Sequence, residues 1–213
     1  MVGNVSASQI TTNSGTFDGS MEANQITLGY NTTVTGNLIG GTVSTNDLVT
    51  IGGSVSGTQL AIGGVNVING NVMGTSITTA QNVTIGGSIS GTAITLGSQN
   101  SVTGPVTGSL SVSLLPSGSQ YGNNIISNGQ VFIGSGNQVN GNISGTDITT
   151  DSPVNLTGNI TATGIFDLAS GSQVTGNVNA GSVHIRASNS DIEGDVTSAG
   201  NILIGSNSGI TGS

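Results

Sequence analysis

Cationic side chains are almost absent from this chain: Arg186 is the one arginine, and there is no lysine among the 213 residues. Proteins that bind nucleic acid electrostatically need clustered cations to release counterions from phosphates, so no nucleic-acid partner is expected. Binding to anionic membranes is disfavoured for the same reason. No apolar run approaches the roughly 18 residues of a membrane-spanning helix, so no membrane insertion is expected either.

Cysteine is absent too, which excludes a disulfide framework and suits either an oxidising or a reducing compartment. The first residues, MVGNV, show no basic region followed by an apolar one, so no signal peptide is visible. The composition, poor in charge and rich in Gly, Ser, Thr and Asn, resembles that of surface and secreted repeat proteins. We therefore expect an extracellular or cell-surface location, with the cytoplasm as the alternative.

Glycine, in contrast, is abundant, with 37 residues. A glycine flanked by β-branched or aliphatic residues recurs about every 17 residues, and we call these the marker glycines: Gly3, Gly19, Gly36, Gly53, Gly70, Gly87, Gly104, Gly141, Gly158, Gly176, Gly194 and Gly212. A repeat this short cannot bury its own apolar face and must stack on its neighbours. The sequence therefore predicts a single solenoid domain over residues 1–213, with an irregular insertion around 109–137.

Three apolar columns keep a fixed phase to the marker glycine: two residues before it, two after it and seven after it. The third column comprises Ile10, Ile26, Val43, Leu60, Ile77, Ile94, Ile148, Ile165 and Val183. Period-two alternation around these columns, broken by Gly, Asn and Ser, indicates short strands joined by corners. We expect an all-β, three-sided β-helix of roughly 12 turns. It should be right-handed, because the column spacing differs from the even six-residue spacing of left-handed hexapeptide helices.

The residue after each marker glycine forms a polar column. Its asparagines are Asn4, Asn37, Asn71, Asn142, Asn159 and Asn177. Stacked asparagines at a corner can hydrogen-bond along the coil, as they do in cross-β stacks, so we predict a structural ladder here. The first members alternate Asn and Ser, which indicates a 34-residue double repeat.

The sequence contains few residues of the kinds that catalyse reactions. The one group of charged residues, His184, Arg186, Asp191, Glu193 and Asp195, is either a site or a solvated face that discourages wrong lateral pairing, and the second reading is preferred. No zinc spacing, phosphate loop or calcium-binding nonapeptide is present. We expect no enzyme, no cofactor, no bound metal and no small-molecule substrate.

Two features allow other contacts. Outward threonine columns, such as Thr11, Thr27, Thr78 and Thr95, resemble those of ice-binding β-helices, so the alternative function is a monomeric extracellular binding module, either ice-binding or an adhesin passenger. The insertion is either a loop without a function of its own or a site of lateral contact with another molecule. The residues that would make such a contact are Leu115, Pro116, Tyr121 and Phe132.

The repeat is in phase at both termini, and no capping element is evident in the sequence. Because uncapped coil ends can satisfy each other by stacking, we expect a self-assembling filament or sheath, polar or non-polar, whose only partner is the chain itself. The apolar residues expected at the junction are Val2, Val5, Ile10, Ile202, Ile204 and Ile210.

Residues 85–91 (IGGSISG), 139–145 (VNGNISG) and 174–178 (VTGNV) resemble the repeats of bactofilins. That resemblance implies nucleotide-free, non-polar filaments assembled through the ends of a β-helix. The chain departs from the family in its greater length, its lower charge and its lack of disordered tails.

Overall fold

The computed structural model describes residues 2–186 and 188–212, which form β-strands and turns without a helix. The chain divides into two compact units, Met1–Gly104 and Pro105–Ser213. Each unit is a stack of parallel coils, and the turns number about 12 in total. The prediction of an all-β solenoid with about 17 residues per turn is therefore confirmed.

In the first unit, long and short strands alternate along the chain. They are β1 (Val5–Thr11), β2 (Gly15–Phe17), β3 (Met21–Leu28), β4 (Thr32–Val34), β5 (Leu38–Thr45), β6 (Thr50–Ile51), β7 (Val55–Ile62), β8 (Val67–Ile68), β9 (Val72–Thr79), β10 (Thr84–Ile85), β11 (Ile89–Leu96) and β12 (Ser101–Val102). Each odd-numbered strand pairs with the next odd-numbered one, and the even-numbered strands do the same.

The long strands of the first unit each cover two sides of the coil. In β3 the buried residues are Met21, Ala23, Ile26 and Leu28, so the alternation slips by one residue where Asn24 and Gln25 both face solvent. Two of the three strands predicted for each turn are thus fused into one, and the short strand supplies the third side.

The strands of the second unit are β13 (Val106–Leu114), β14 (Gln120–Tyr121), β15 (Ile125–Ser127), β16 (Gln130–Ile133), β17 (Gln138–Asn140), β18 (Ile143–Gly145), β19 (Ile148–Thr150), β20 (Asn155–Thr157), β21 (Ile160–Leu168), β22 (Gln173–Thr175), β23 (Val178–Ile185), β24 (Asp191–Glu193), β25 (Val196–Ser198), β26 (Ile202–Ile204) and β27 (Gly209–Ile210). In several turns the long strand is divided in two. Both β15 and β16 pair with β13, and both β25 and β26 pair with β23.

The register places like residues on like residues. Met21 pairs with Leu38, Leu38 with Val55, and Val55 with Val72, and these side chains are buried. Each aliphatic side chain is covered by the equivalent side chain of the next turn, which is how a repeat too short for a core of its own acquires one.

One residue of the third apolar column was predicted to lie inside and does not. Ile165 is 42% exposed, and Phe166 is buried in its place, paired with Ile148 and Val183. The reason is a register shift between Ala162 and Ile165, where β21 carries one extra residue.

Much of segment 109–137 is built into turns. Strands β13 to β16 pair in parallel with their neighbours, and the connection after Leu114 is a longer corner in which Ser117 and Gly118 have positive φ. Gly141 stacks on Asn123. Asn123 therefore occupies the marker position between Gly104 and Gly141, where the sequence has no marker glycine.

This phase explains why Tyr121 is 1% exposed: it lies two residues before Asn123, in an inward column, and pairs with Val139. Its hydroxyl has no well-aligned hydrogen-bond partner among the described residues. Burial raises the pKa of Tyr121 to about 12, and the nearby Ser119 hydroxyl offsets part of that rise.

Inside the first unit, buried polar pairs recur on every second turn. Asn66 Nδ2 donates to Thr45 Oγ1 at 2.7 Å, and Asn66 Oδ1 accepts the Val49 amide at 2.7 Å. Asn100 repeats both contacts with Thr79 and Val83 at 2.7 and 2.8 Å. Since each pair spans two adjacent turns, the turns must alternate between two sequences, which gives the 34-residue double repeat a physical cause.

The marker glycines lie where successive turns approach each other closely. A Cβ added at Gly70 would lie 2.7 Å from the carbonyl oxygen of Gly53, and one at Gly104 would lie 2.6 Å from that of Gly87. At these positions a methyl group would clash with the backbone of the preceding turn, so glycine is a packing requirement there, whereas Asn123 shows that one marker position of the second unit accepts a side chain.

We expect Gly70→Ala to lower the free energy of unfolding by several kcal/mol, about the upper end of the range for single substitutions, because the new methyl group forces two turns apart. Gly209→Ala is the matched control, since its Cβ would meet nothing closer than Asp191 Oδ1 at 3.4 Å. Urea titration measures both. Equal losses in the two variants would contradict the packing explanation.

Ionisation of Tyr121 should weaken the fold at high pH. Its pKa is about 12 when folded and 10.0 in its reference state, so below pH 10 both states are protonated, and above it the unfolded state loses the proton first. Unfolding free energy therefore falls as pH rises from about 10 to 12, by on the order of 1 kcal/mol at pH 11.

Tyr121→Phe should remove this loss and should leave stability at neutral pH unchanged or higher, because the hydroxyl has no well-aligned partner. Tyr30→Phe, which alters an exposed ring, serves as the control. Urea titrations at pH 8 and pH 11 provide the comparison. A Tyr121→Phe protein that is as alkali-sensitive as the parent would contradict the assignment.

Candidate assembly faces

The residues after the marker positions form a continuous hydrogen-bond ladder within each unit. In the first unit the backbone amides of Ser20, Asn37, Ser54, Asn71 and Ser88 donate to the side-chain oxygens of Asn4, Ser20, Asn37, Ser54 and Asn71, at 2.8–3.0 Å. In the second unit the amides of Asn142, Asn159, Asn177 and Asp195 donate to the Oδ1 atoms of Asn124, Asn142, Asn159 and Asn177, at 2.8–3.0 Å. All six asparagines predicted for the ladder belong to it.

The ladder differs from the predicted one in its chemistry. Stacking of side-chain amides on one another was expected, whereas these contacts join each side-chain oxygen to a backbone amide of the next turn. Serine therefore serves as well as asparagine. Asn124 was missed because its neighbour Asn123 replaces the marker glycine, although the local sequence Asn123-Asn124-Ile125 keeps the rest of the pattern.

Every contact of this ladder has the same direction. The acceptor oxygen belongs to the earlier turn, and the donor amide belongs to the later turn. We therefore distinguish two sides of a turn: the donor side, which faces the preceding turn, and the acceptor side, which faces the following one.

The first described turn exposes its donor side. Val2 is 85% exposed and Val5 is half-buried, whereas Ile10 is buried. Nothing lies within 4 Å of the position a Cβ of Gly3 would take, in contrast to Gly19, whose Cβ would lie 2.5 Å from the Gly3 carbonyl oxygen.

The last described turn exposes its acceptor side. Ile202 and Ile204 belong to inward columns and pair with Val183 and Ile185, yet they are 42% and 50% exposed, whereas Ile185 is 2% exposed. Leu203, between them, is exposed as well, and Ile210 is half-buried. The residues predicted for the junction thus lie on the two terminal described turns.

The four residues considered for lateral contacts do not form one surface. Tyr121 is inside the coil, while Leu115 is exposed at the corner after β13 and Pro116 is half-buried beside it. Phe132 is half-buried in an outward column, paired with Ser113 and Thr149.

The charged residues predicted as one group near the C-terminus are divided between two sheets, and Arg186 pairs with a residue outside the group. The Arg186 guanidinium donates to both carboxylate oxygens of Asp167, at 2.6 and 2.8 Å, and this contact raises the pKa of Arg186. His184 lies beside Asp167 in the strand register, whereas Asp191 and Glu193 lie on β24, in the other sheet. Within the described ranges, no three His, Cys, Asp or Glu side chains come close enough to hold a metal ion.

One corner of the first unit is conformationally unusual. Leu48 and Val65 have φ of 58° and 55°, in the left-handed region that suits Asn and Gly, and both side chains are exposed. Other turns place Asn31 and Asn82 at the same corner, with φ of 54° and 58°. The asparagines of this column are a sequence signal for the left-handed conformation, but Leu48 and Val65 obscure it because neither residue favours that region.

A shallow open groove of about 330 Å³ runs along the outer surface of β1, β3 and β5, lined by Ser6, Ala7, Glu22, Ala23, Asn24, Ile39, Gly40 and Gly41. Its one titratable side chain is Glu22. A lone carboxylate without a neighbouring acid, base or cation is a poor basis for acid–base catalysis.

Comparison of the chain with family models, curated proteins and solved structures finds no match. In the part of the chain that the structure describes, no helix has the length and apolarity required to cross a membrane.

We expect Val65→Asn to raise the free energy of unfolding by about 1 kcal/mol, because a β-branched residue is strained in the left-handed region and asparagine is not. Val67→Asn is the control: Val67 is similarly exposed but lies in β8, where asparagine is a poor strand residue. Thermal unfolding of both variants tests this. A loss of stability in Val65→Asn would show that the valine is held by contacts of its own.

Proposed function

We propose that this protein is a structural β-solenoid that self-assembles by end-to-end stacking into a filament or sheath. Its partner is another copy of itself, and it carries out no catalysis. The supporting observation is the difference in burial between equivalent residues of successive turns: Ile185 is covered by the turn that follows, and Ile204, its partner in the register, is not.

Burial supplies the driving force for such a junction. Fully burying an aliphatic side chain contributes about 1.5–3 kcal/mol, and each terminal described turn offers several that are partly exposed. These turns also present strand edges, which are templates for pairing with another chain. A stacked copy would cover the apolar columns and pair the edges in the same step.

The shape of this contact favours a polymer over a closed oligomer. Stacking joins two different surfaces, one on the first described turn and one on the last, and a contact between different surfaces propagates unless a rotation closes it. The resemblance of VTGNV and related segments to bactofilins supports the same mode of assembly, although that family's filaments are non-polar.

We further propose an extracellular or cell-surface location, with the cytoplasm as the alternative. A chain with 5% charged residues and many Gly, Ser, Thr and Asn residues resembles surface repeat proteins in composition. Fractionation of the native cells into medium, cell surface and cytoplasm, with detection of the protein in each fraction, distinguishes the two locations.

We expect the purified protein to form fibres visible by negative-stain electron microscopy, and we expect Val5→Asp and Ile204→Asp each to abolish elongation. Burying an unpaired carboxylate at a junction is strongly unfavourable, while both positions are open enough in the described chain to tolerate the substitution. Fibre length and sedimentation measure the effect.

The matched controls are Ser6→Asp and Thr197→Asp, which place the same charge on outward residues next to Val5 and Val196. They should assemble like the parent. A parent protein that stays monomeric at high concentration would contradict the proposal and would favour the monomeric binding module, for which thermal hysteresis is the direct assay.

A further inference from the structure

We propose that a groove on the outer surface of the first unit binds a short extended segment of another protein, one that carries a Lys or Arg side chain beside a large apolar side chain. This inference goes beyond the proposed self-assembly and does not rest on it, because it concerns a partner of a different sequence. Two hollows form the groove, and Ile39 lines both of them.

The second hollow is a notch between two exposed apolar side chains. Ile39, Ser56 and Met73 follow one another in the register of β5, β7 and β9, so Ile39 and Met73 lie two turns apart, about 10 Å, with the small Ser56 between them. Ile39 is 45% exposed and Met73 is 53% exposed. The notch has a volume of about 270 Å³, and Asn37 and Asn71 line one of its walls.

The core does not account for these two exposed side chains. Their neighbours Leu38 and Val72 fill the inward column and are buried, while serine holds the same outward position in the adjacent turns, at Ser56 and Ser90. Single exposed apolar residues are common on protein surfaces, but these two stand in one column on either side of a gap. That arrangement suits the insertion of one apolar side chain from outside.

The first hollow, of about 330 Å³, supplies a charge. Glu22 lies beside Ile39 in the register, one turn before it, and its side chain is exposed. The first unit contains no Lys, Arg or His, so no cationic side chain of that unit neutralises this carboxylate. A Lys or Arg side chain of the occupant complements it.

A second copy of the chain does not have this chemistry. The chain contains no lysine, and its one arginine, Arg186, already donates to both carboxylate oxygens of Asp167, at 2.6 and 2.8 Å. The occupant is therefore a segment of a different protein.

One wall of the notch also offers hydrogen-bond donors. The Oδ1 atoms of Asn37 and Asn71 accept the Ser54 and Ser88 amides at 2.8 Å. Their Nδ2 groups have no acceptor among the described residues. Side-chain amide donors on a groove wall suit the backbone carbonyls of an extended peptide.

The size and spacing of the hollows specify the occupant further. Pockets that enclose small molecules have roughly 300–1,000 Å³, and both hollows are open and lie at or below the low end of that range, so each suits one side chain. Glu22 and Ser56 are two turns apart, about 10 Å. Side chains on one face of an extended peptide are about 7 Å apart, and a long basic side chain spans the remainder. The expected motif is a Lys or Arg two positions from a Leu, Met or Phe.

Peptide selection tests the site without a known partner. Random heptapeptides displayed on phage are selected on the full-length protein, after removal of phage that bind the double variant Ile39→Ser/Met73→Ser. Serine already occupies this column at Ser56 and Ser90, so the double variant keeps the fold. We expect the selected peptides to share the motif. A selection that yields no shared sequence, or one without a basic residue, overturns the proposal.

Fluorescence anisotropy of a labelled synthetic copy of the selected peptide measures the affinity. Met73→Ser should raise Kd about tenfold through lost apolar burial, and Glu22→Gln should raise it about threefold through the lost ion pair. The matched controls are Leu110→Ser, which removes a similarly exposed apolar side chain from the second unit, and Asp47→Asn, which removes another exposed carboxylate of the first unit. Neither control should change Kd, and losses as large as those of the groove variants would contradict the assignment.

Charge reversal provides an independent readout. Glu22→Lys should weaken binding of the selected peptide and should restore binding of a peptide whose basic residue is replaced by glutamate. Failure of this exchange overturns the proposed partner chemistry.

Electron microscopy separates this site from the assembly itself. Ile39→Ser/Met73→Ser should form fibres of the same width as the parent, and narrower fibres would assign the groove to a contact between copies and overturn the proposal. Because peptide binding is measured directly, a parent that forms no fibres contradicts only the proposed end-to-end assembly.

Discussion

The close contact between successive marker positions is the constraint on which the rest of each unit depends. Parallel strands lie about 4.8 Å apart, and a Cβ at the marker glycines after Gly3 would clash with the backbone of the preceding marker position. The spacing of the glycines therefore sets the length of a turn. Once that length is fixed, aliphatic residues cover aliphatic residues and ladder residues meet ladder residues.

Much of the fold could be predicted because this constraint is visible in the sequence as regularly spaced glycines. Glycines recurring about every 17 residues gave the number of turns, and two of the apolar columns and the ladder followed from their phase. Both failures arise where the phase counted from a marker glycine is lost, either because a turn gains a residue or because the glycine itself is replaced. Ile165 was placed inside because the extra residue in β21 is invisible to counting, and Tyr121 was read as a surface residue because Asn123 replaces its marker glycine.

Other features were beyond reach for a different reason. The inward positions of Thr45 and Asn66 could not be recognised, because a polar residue signals burial only when its partner on the adjacent turn is known. The left-handed conformation of Leu48 and Val65 contradicts local preference, so no propensity argument would find it. The phase of the repeat assigned the junction residues to the terminal turns, but the direction of the ladder became visible only with the side-chain oxygens in place.

Most of the side-chain hydrogen bonds of the described turns, including the Arg186–Asp167 ion pair, join one turn to the next, and only a few, such as that from Thr32 Oγ1 to the Gly29 carbonyl, are local. The ladder, the glycine contacts and the buried Thr–Asn pairs all join one turn to the next. Contacts of this kind fix the position of each turn on the preceding one, which suits a protein that adds one turn to another.

The buried Thr–Asn pairs also restrict how such a gene can change in length. Deleting the 17-residue turn that contains Asn66 would bring Thr45 next to Val83 and would leave its hydroxyl buried without the Asn66 amide. Deleting or duplicating two turns keeps each pair intact. Unequal recombination between repeats should therefore be tolerated in steps of two turns, so that the pair, rather than the single turn, is the unit by which this coil can grow or shrink during evolution.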